Sequence, residues 1–392
     1  MLSQRLITAL TLASVIAPCA HANTNAYFVS TTGNNKNTGT ISSPFKTIAT
    51  GLKFLKPGDT LYVRSGTYPE AFNATIPSGT SWASPVTLSA YPGETVTLRP
   101  KSGSESVFMF LGKQRYIVVN GFIVDGIYAS VDAIKITASR TGAANHIRIQ
   151  NSEIKNSNNQ GILLTGGANY NEFINLKVHG AALTGKYHDM SLDHYHGIYI
   201  ATDHNLVQGC AVYHNAGYGI HCYDDAGDTV HDNVIQGNMC YDNGVAGGSG
   251  AGIILSSGDN NVACNNVVFK NDYGISVDYS ATNTKLYNNT VYANRAFGIY
   301  VGPDSSNAIV QNNISYKNSW DDLADDGSSS SLFSYNLAGV DPKFKNAAAF
   351  DFHLTAGSPA IDRGLTISSV MTDMEGLLRP RGGAYDLGAC EY

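Results

Sequence analysis

Charge is scarce in this sequence. Asp, Glu, Lys and Arg make up only 14% of its 392 residues, with 25 basic against 31 acidic side chains and a net charge of −6. No run of Lys and Arg stands out, which argues against nucleic acid as a partner. Beyond the N-terminus there is no segment of 18 unbroken apolar residues, so no membrane-crossing helix is expected. Cysteine is sparse as well. Setting aside Cys19, the remaining five (Cys210, Cys222, Cys240, Cys264 and Cys390) are an odd number, which argues against a full disulfide framework. They are expected to act as small buried apolar residues. What is plentiful is glycine, 40 residues, and tyrosine, 23 residues, alongside many asparagines. That mixture suits stacked strands and tight turns better than helices.

The N-terminus carries the one long apolar stretch. Arg5 precedes Leu6 to Pro18, and Ala20-His21-Ala22 follows with small residues where a signal peptidase reads. This is the pattern of a secretory signal cleaved after Ala22, so a secreted or periplasmic protein is expected. Pro18 in front of Cys19 fits a lipidation box poorly.

A Gly-Ile pair opens an alternating strand again and again through the middle of the chain. The pairs begin at Gly161, Gly197, Gly219, Gly252, Gly274 and Gly298, spaced by 36, 22, 33, 22 and 24 residues. The base period is about 22 with two insertions. An asparagine precedes five of the six pairs (Asn156, Asn215, Asn243, Asn271, Asn294) and another, Asn318, follows the last, and two residues before each asparagine stands a large apolar side chain. One thin turn cannot bury its own apolar side, but stacked turns share a core, so the period predicts a solenoid. The asparagines read as an internal ladder, since Asn tolerates left-handed backbone and bonds to neighbouring turns. A leucine-rich repeat would need a leucine pattern that is absent. The expected fold is an all-β, right-handed parallel β-helix, with 23–110 as N-terminal cap and first turns, 111–340 as the central coil and 341–392 as a segment packed along it. Residues 45–56 have helical apolar spacing that Pro57-Gly58 stops, which predicts a short helix capping the core.

The segments Ser43-Pro44-Phe45-Lys46-Thr47-Ile48, Lys56-Pro57-Gly58-Asp59-Thr60-Leu61-Tyr62-Val63 and Gly66-Thr67-Tyr68 resemble the opening of secreted β-helix polysaccharide lyases, family-9 pectate lyases among them. The coil is similar to the wider class of β-helix sugar-active proteins that includes mannuronan C5-epimerases. The tail, with Phe352-His353-Leu354, Ser358-Pro359-Ala360-Ile361-Asp362 and Asp386-Leu387-Gly388-Ala389, resembles an end segment of secreted bacterial β-helix proteins. The resemblance implies export and polysaccharide-directed activity. It also implies an aspartate cluster for calcium and a lysine base, and this sequence offers no placeable copy of that set.

Strand alternation in Gly-Ile-x-Val turns Ile inward and x outward. Tyr199, His221, Tyr223, Ser256, Asp278 and Tyr300 are therefore expected on one outer face. Insertions at 181–196, 224–228 and 243–251 surround the rung of His221 and Tyr223, and eight of the 11 histidines fall between His179 and His231. Each histidine taken singly is more readily structural; as a cluster under long loops they indicate a site. The expected reaction is β-elimination on an acidic polysaccharide, with C5-epimerisation and glycoside hydrolysis as alternatives and non-catalytic sugar binding as a third class. His221 and Tyr223 are the expected acid–base pair, supported by Tyr199 and His188. Lys186 is expected to cover the substrate carboxylate, with His196, Asp278, Tyr300 and Ser256 as further sugar contacts. No cofactor is required on this reading. Calcium or zinc on His194, His196 and Asp189 is a minority reading, because the spacing matches no strong metal signature. A monomer acting on a polysaccharide is expected.

Overall fold

In the computed structural model, residues 24–183, 194–225, 230–245 and 250–392 are described. The chain winds as a right-handed parallel β-helix with three long parallel sheets of 12, 11 and 10 strands. Each turn contributes one short strand to each sheet. A representative turn runs from Val234–Gln236 in the first sheet through Met239–Tyr241 in the second to Ala251–Leu255 in the third.

Inward side chains of all three sheets meet in one continuous core. In the third sheet Ile198, Ile220, Ile253, Ile275 and Ile299 stack in register, each fully buried. Full burial of such a side chain stabilises by roughly 1.5–3 kcal/mol. The five cysteines are free and buried. The expected helix at 45–56 is shorter, Ile48–Leu52, with Ile48 and Leu52 buried. Thr47 caps it by accepting a bond from the Thr50 N–H.

The corners hold three asparagine ladders. One runs Asn171–Asn205–Asn233–Asn261, a second Asn238–Asn266–Asn289–Asn313–Asn336, and a third Asn215–Asn243–Asn271–Asn294–Asn318. In every step one amide Nδ2 donates to the Oδ1 of the next turn, which satisfies polar groups buried at the bends. The third ladder is the expected one with a correction. Asn156 stands outside it, in left-handed backbone, and donates to Asp125 instead. The same ladder explains the glycine of the Gly-Ile pairs. A Cβ on Gly197 would lie 2.6 Å from Val212 Cγ1 and 2.8 Å from Asn215 Nδ2, so no larger residue fits.

The segment after the last coil strand lies against the first two sheets. Phe352, Ala389 and Cys390 pack with Val267 and Phe269, and the Arg379 guanidinium is buried between Glu391, Asn265 and the backbone of Gly388. The outer face of the third sheet carries Tyr199, His221 and Tyr300 of the expected site residues.

Candidate active site

The outward column of the third sheet reads, rung by rung, Lys135, Leu163, Tyr199, His221, Ile254, Ser276, Tyr300 and Ala324. Tyr199 and His221 stack at 5.0 Å between ring centroids, and Tyr223 lies on the other side of His221 at 5.3 Å, nearly parallel. Tyr218 stands edge-on to His221 at 4.9 Å and stacks on His196 at 4.7 Å.

These rings bury His221. It is 8% exposed and His196 is 3% exposed, although His221 sits on the outer face. His196 Nδ1 accepts the Tyr218 backbone N–H at 3.0 Å. Its proton is therefore on Nε2, which donates to His221 Nδ1 at 3.0 Å. His221 in turn carries its proton on Nε2 and meets Ser256 Oγ at 3.1 Å. Burial, with His194 adding to it, pushes the His221 pKa down to about 3. Burial and the neighbouring His221 hold His196 well below the usual imidazole range. Both rings are neutral with both nitrogens engaged.

Three expectations change as a result. His221 is not placed to act as general base, because its unprotonated nitrogen already accepts from His196. His196 has no lone pair left for a metal, and only a small part of its ring is exposed at the cavity wall. Ser256 is fully buried rather than on the outer face, because the chain bends into a corner after Leu255 and strand alternation stops there.

Tyr223 remains accessible. Its hydrogen bond with Asp225 raises its pKa, so it is held as the phenol. Tyr199 is pushed up to about 12, by burial first and Asp225 second, and it supports His221 from beneath. Gln160 fixes the approach of the chain: its Nε2 donates to the His194 carbonyl at 3.0 Å and its Oε1 accepts the His196 N–H. Asp132 Oδ1 accepts the Gln160 N–H at 3.0 Å, and burial raises the Asp132 pKa to about 6.

Two cavities open side by side along this face. The first, about 320 Å³, is lined by His194, His196, Tyr218, His221, Tyr223, Asp225 and Tyr279. The second, about 240 Å³, includes Tyr273, Phe297, Tyr300, Asp278 and Asp326, and shares Tyr218 and Tyr279 with the first. Asp278 and Tyr300 thus line the same cavity. Burial raises the Asp278 pKa, with Asp304 and Asp326 adding to it. The Tyr300 hydroxyl donates to Asp326 Oδ2 at 3.3 Å. No Lys or Arg lines either cavity among the described residues. Lys186, His188 and Asp189 lie outside the described residues, as do the centres of all three insertions. No group of three or more His, Cys, Asp or Glu suited to a metal ion occurs among the described residues.

Tyr218, Tyr273 and Phe297 were not singled out from the sequence, yet a signal exists. Each immediately precedes a Gly-Ile pair, as does His196. That position forms a second column beside the strand.

With this geometry in place, comparison with known proteins defines the class. Residues 27–330 match the family described as Pel9A-like, right handed beta helix region, and the chain belongs to that family. The crystal structure of pectate lyase Pel9A superimposes with a TM-score of 0.69 at 20% identity, covering 94% of this chain and 96% of that one. An alginate lyase from Paenibacillus sp. str. FPU-7 gives 0.57 at 17% identity, covering 81% and 98%. By sequence, the uncharacterized protein YwoF of Bacillus subtilis (strain 168) is 28% identical over 133 residues. That match spans 33% of this chain and 28% of YwoF.

Proposed function

We propose that the protein is an exported enzyme that cleaves an acidic polysaccharide by β-elimination in the first cavity. The observation that carries this reading is the accessible Tyr223 phenol, laid on a neutral His221 in the same cavity as His194. In β-elimination the C5–H bond of a uronic acid breaks, its electrons form the C4–C5 double bond, and the C4–O bond breaks. The leaving oxygen takes up a proton. Tyr223, kept protonated by Asp225, is the donor to that oxygen. The exposed His194 at the cavity rim supplies an imidazole, the side chain most often used for proton removal. Lys186 is assigned to the substrate carboxylate, from the segment that leads into His194. His196, His221 and Ser256 are positioning residues that hold the floor beneath Tyr223. The family membership and the lyases among the structural neighbours support an acidic polysaccharide as the first substrate class to test. The N-terminal signal pattern supports export.

The test is a panel of pectate, alginate and glycosaminoglycans, followed at the absorbance of unsaturated uronates. Product absorbance that disappears in His194→Ala and Tyr223→Phe supports the assignment. Altered polymer proton NMR without cleavage would instead mean epimerisation.

One observation favours a second reading, hydrolysis. The raised Asp278 carboxyl beside Asp304 and Asp326 has the character of a general acid, and the described lining has no cation for a uronate. New reducing ends without unsaturated product would select it.

A further inference from the structure

The two cavities differ in what they can hold. The first has imidazoles and a phenol. The second is a bowl of aromatic rings with carboxylates at its edge. Tyr273 and Phe297 lie 5.8 Å apart and Phe297 and Tyr300 5.0 Å apart, each pair tilted by less than 40°. Trp320, 63% exposed, stands perpendicular to Phe297 at 5.1 Å. Ring faces left open in this way suit the C–H face of a pyranose, and carboxylates suit its hydroxyls.

The same carboxylates exclude an anionic sugar. Asp278 and Asp326 line the bowl, Asp304 acts electrostatically on Asp278, and no Lys or Arg lines it among the described residues. A uronate placed here would meet like charges with no counter-ion among the described residues, the usual way a site rejects a wrong ligand. Strands in the sheet are about 4.8 Å apart, so His221 and Tyr300, three rungs apart, are separated by roughly 14 Å, close to the span of two or three linked sugars.

We propose that the second cavity is a subsite for an uncharged pyranose, so that the substrate is a heteropolysaccharide in which neutral sugars neighbour the cleaved residue. This rests on the reading that the face accepts a glycan chain. It sets the substrate apart from an unbroken polyuronate.

Trp320 provides the test. The sequence has two tryptophans, Trp82 and Trp320, so in a Trp82→Phe protein the indole signal comes from Trp320 alone, which packs against the cavity-lining rings of Phe297 and Tyr273. That protein is titrated with neutral β-1,4-linked gluco-, manno-, xylo- and galacto-pentasaccharides and with pentagalacturonate, following indole fluorescence. Wild-type protein is titrated in parallel by calorimetry. At least one neutral pentasaccharide is expected to give a saturable Trp320 shift, at least about tenfold tighter than pentagalacturonate. The Asp278→Asn, Asp326→Asn double variant is expected to narrow that gap. Equal or tighter binding of the galacturonate at Trp320, or no shift with any neutral pentasaccharide, overturns the subsite. Formation of unsaturated uronates is measured on the same preparations, so failure of the subsite is told apart from failure of the β-elimination reading.

Discussion

Two outer faces of the coil both carry columns of rings, and they differ in how the column ends. On the second sheet Tyr213, Tyr241 and Phe269 stack almost parallel at 4.9 and 5.0 Å. Phe350 and Phe352 of the C-terminal segment then close over Phe269. On the third sheet the column runs only from Tyr199 to His221 and breaks at Ile254. Around the break, rings from the corners turn toward the face and leave cavities. An unbroken stack gives each ring a partner on both faces and leaves nothing to bind. An interrupted one leaves ring faces and hydrogen-bonding edges unmatched, and that is where a ligand gains contacts.

The comparison can be broken first from inside. Ile275→Asp places an unpaired charge in the shared core and should destabilise by about 3–5 kcal/mol or more, read by thermal or urea unfolding. An unchanged melting curve would mean that the inward register is wrong. Next comes Phe269→Ala on the covered face. It should cost about 3 kcal/mol with turnover at permissive temperature unaltered, because that column is structural. A loss of turnover in the folded variant would erase the distinction between the faces.

His221→Phe keeps a ring between Tyr199 and Tyr223 but leaves His196 and Ser256 without their partner, a cost of about 1–3 kcal/mol. It also changes the acid response. A histidine whose folded pKa is depressed contributes stability that is present above its unfolded pKa near 6.5 and lost as pH falls toward 3. Wild-type stability should therefore decline across that window in pH-dependent unfolding, and the variant should decline less. Parallel curves would show that His221 takes up its proton in the folded state as readily as in the unfolded chain. Asp132→Asn works with the opposite sign. Its raised pKa stabilises the fold below about pH 4 and loses that contribution as pH rises through about 6. The variant should be more stable than wild type at pH 7.5, by about 1–3 kcal/mol, with the difference vanishing in acid. The smallest structural effect belongs to Tyr223→Phe. Its stability should stay within roughly 0.5 kcal/mol. Turnover on a verified substrate should fall by about two orders of magnitude. Full turnover would move the chemistry to Asp278 and the second cavity.

Much of the fold could be read from the sequence because it repeats. The Gly-Ile pairs fixed the inward column, and their glycines have a steric cause in the asparagines beneath. Only one ladder of three was recognised, since the other two sit at corners with no equally regular partner such as Gly-Ile. The site was legible by face but not by depth. Alternation correctly turned His221 outward, but it says nothing of Tyr218, which comes from the corner and covers it. Nor does alternation continue past a strand end, which is why Ser256 belongs to the floor. Asp278 and Tyr300, expected as sugar contacts on neighbouring rungs, line one cavity.

The asparagine ladders give the coil a property that ordinary sheets lack. In each step of a ladder the side-chain amide donates toward the C-terminal turn, and the third ladder ends when Asn318 donates to the Asp322 carboxylate at 2.7 Å. Each corner therefore works like a ratchet with one tooth per turn. A strand that slipped by one residue would disengage a tooth at each corner of that turn, leaving buried amides without partners, whereas a whole turn carrying its own three asparagines could be added or removed with the teeth still meshed. The length of the outer face that carries the cavities is on this account adjustable in units of one turn.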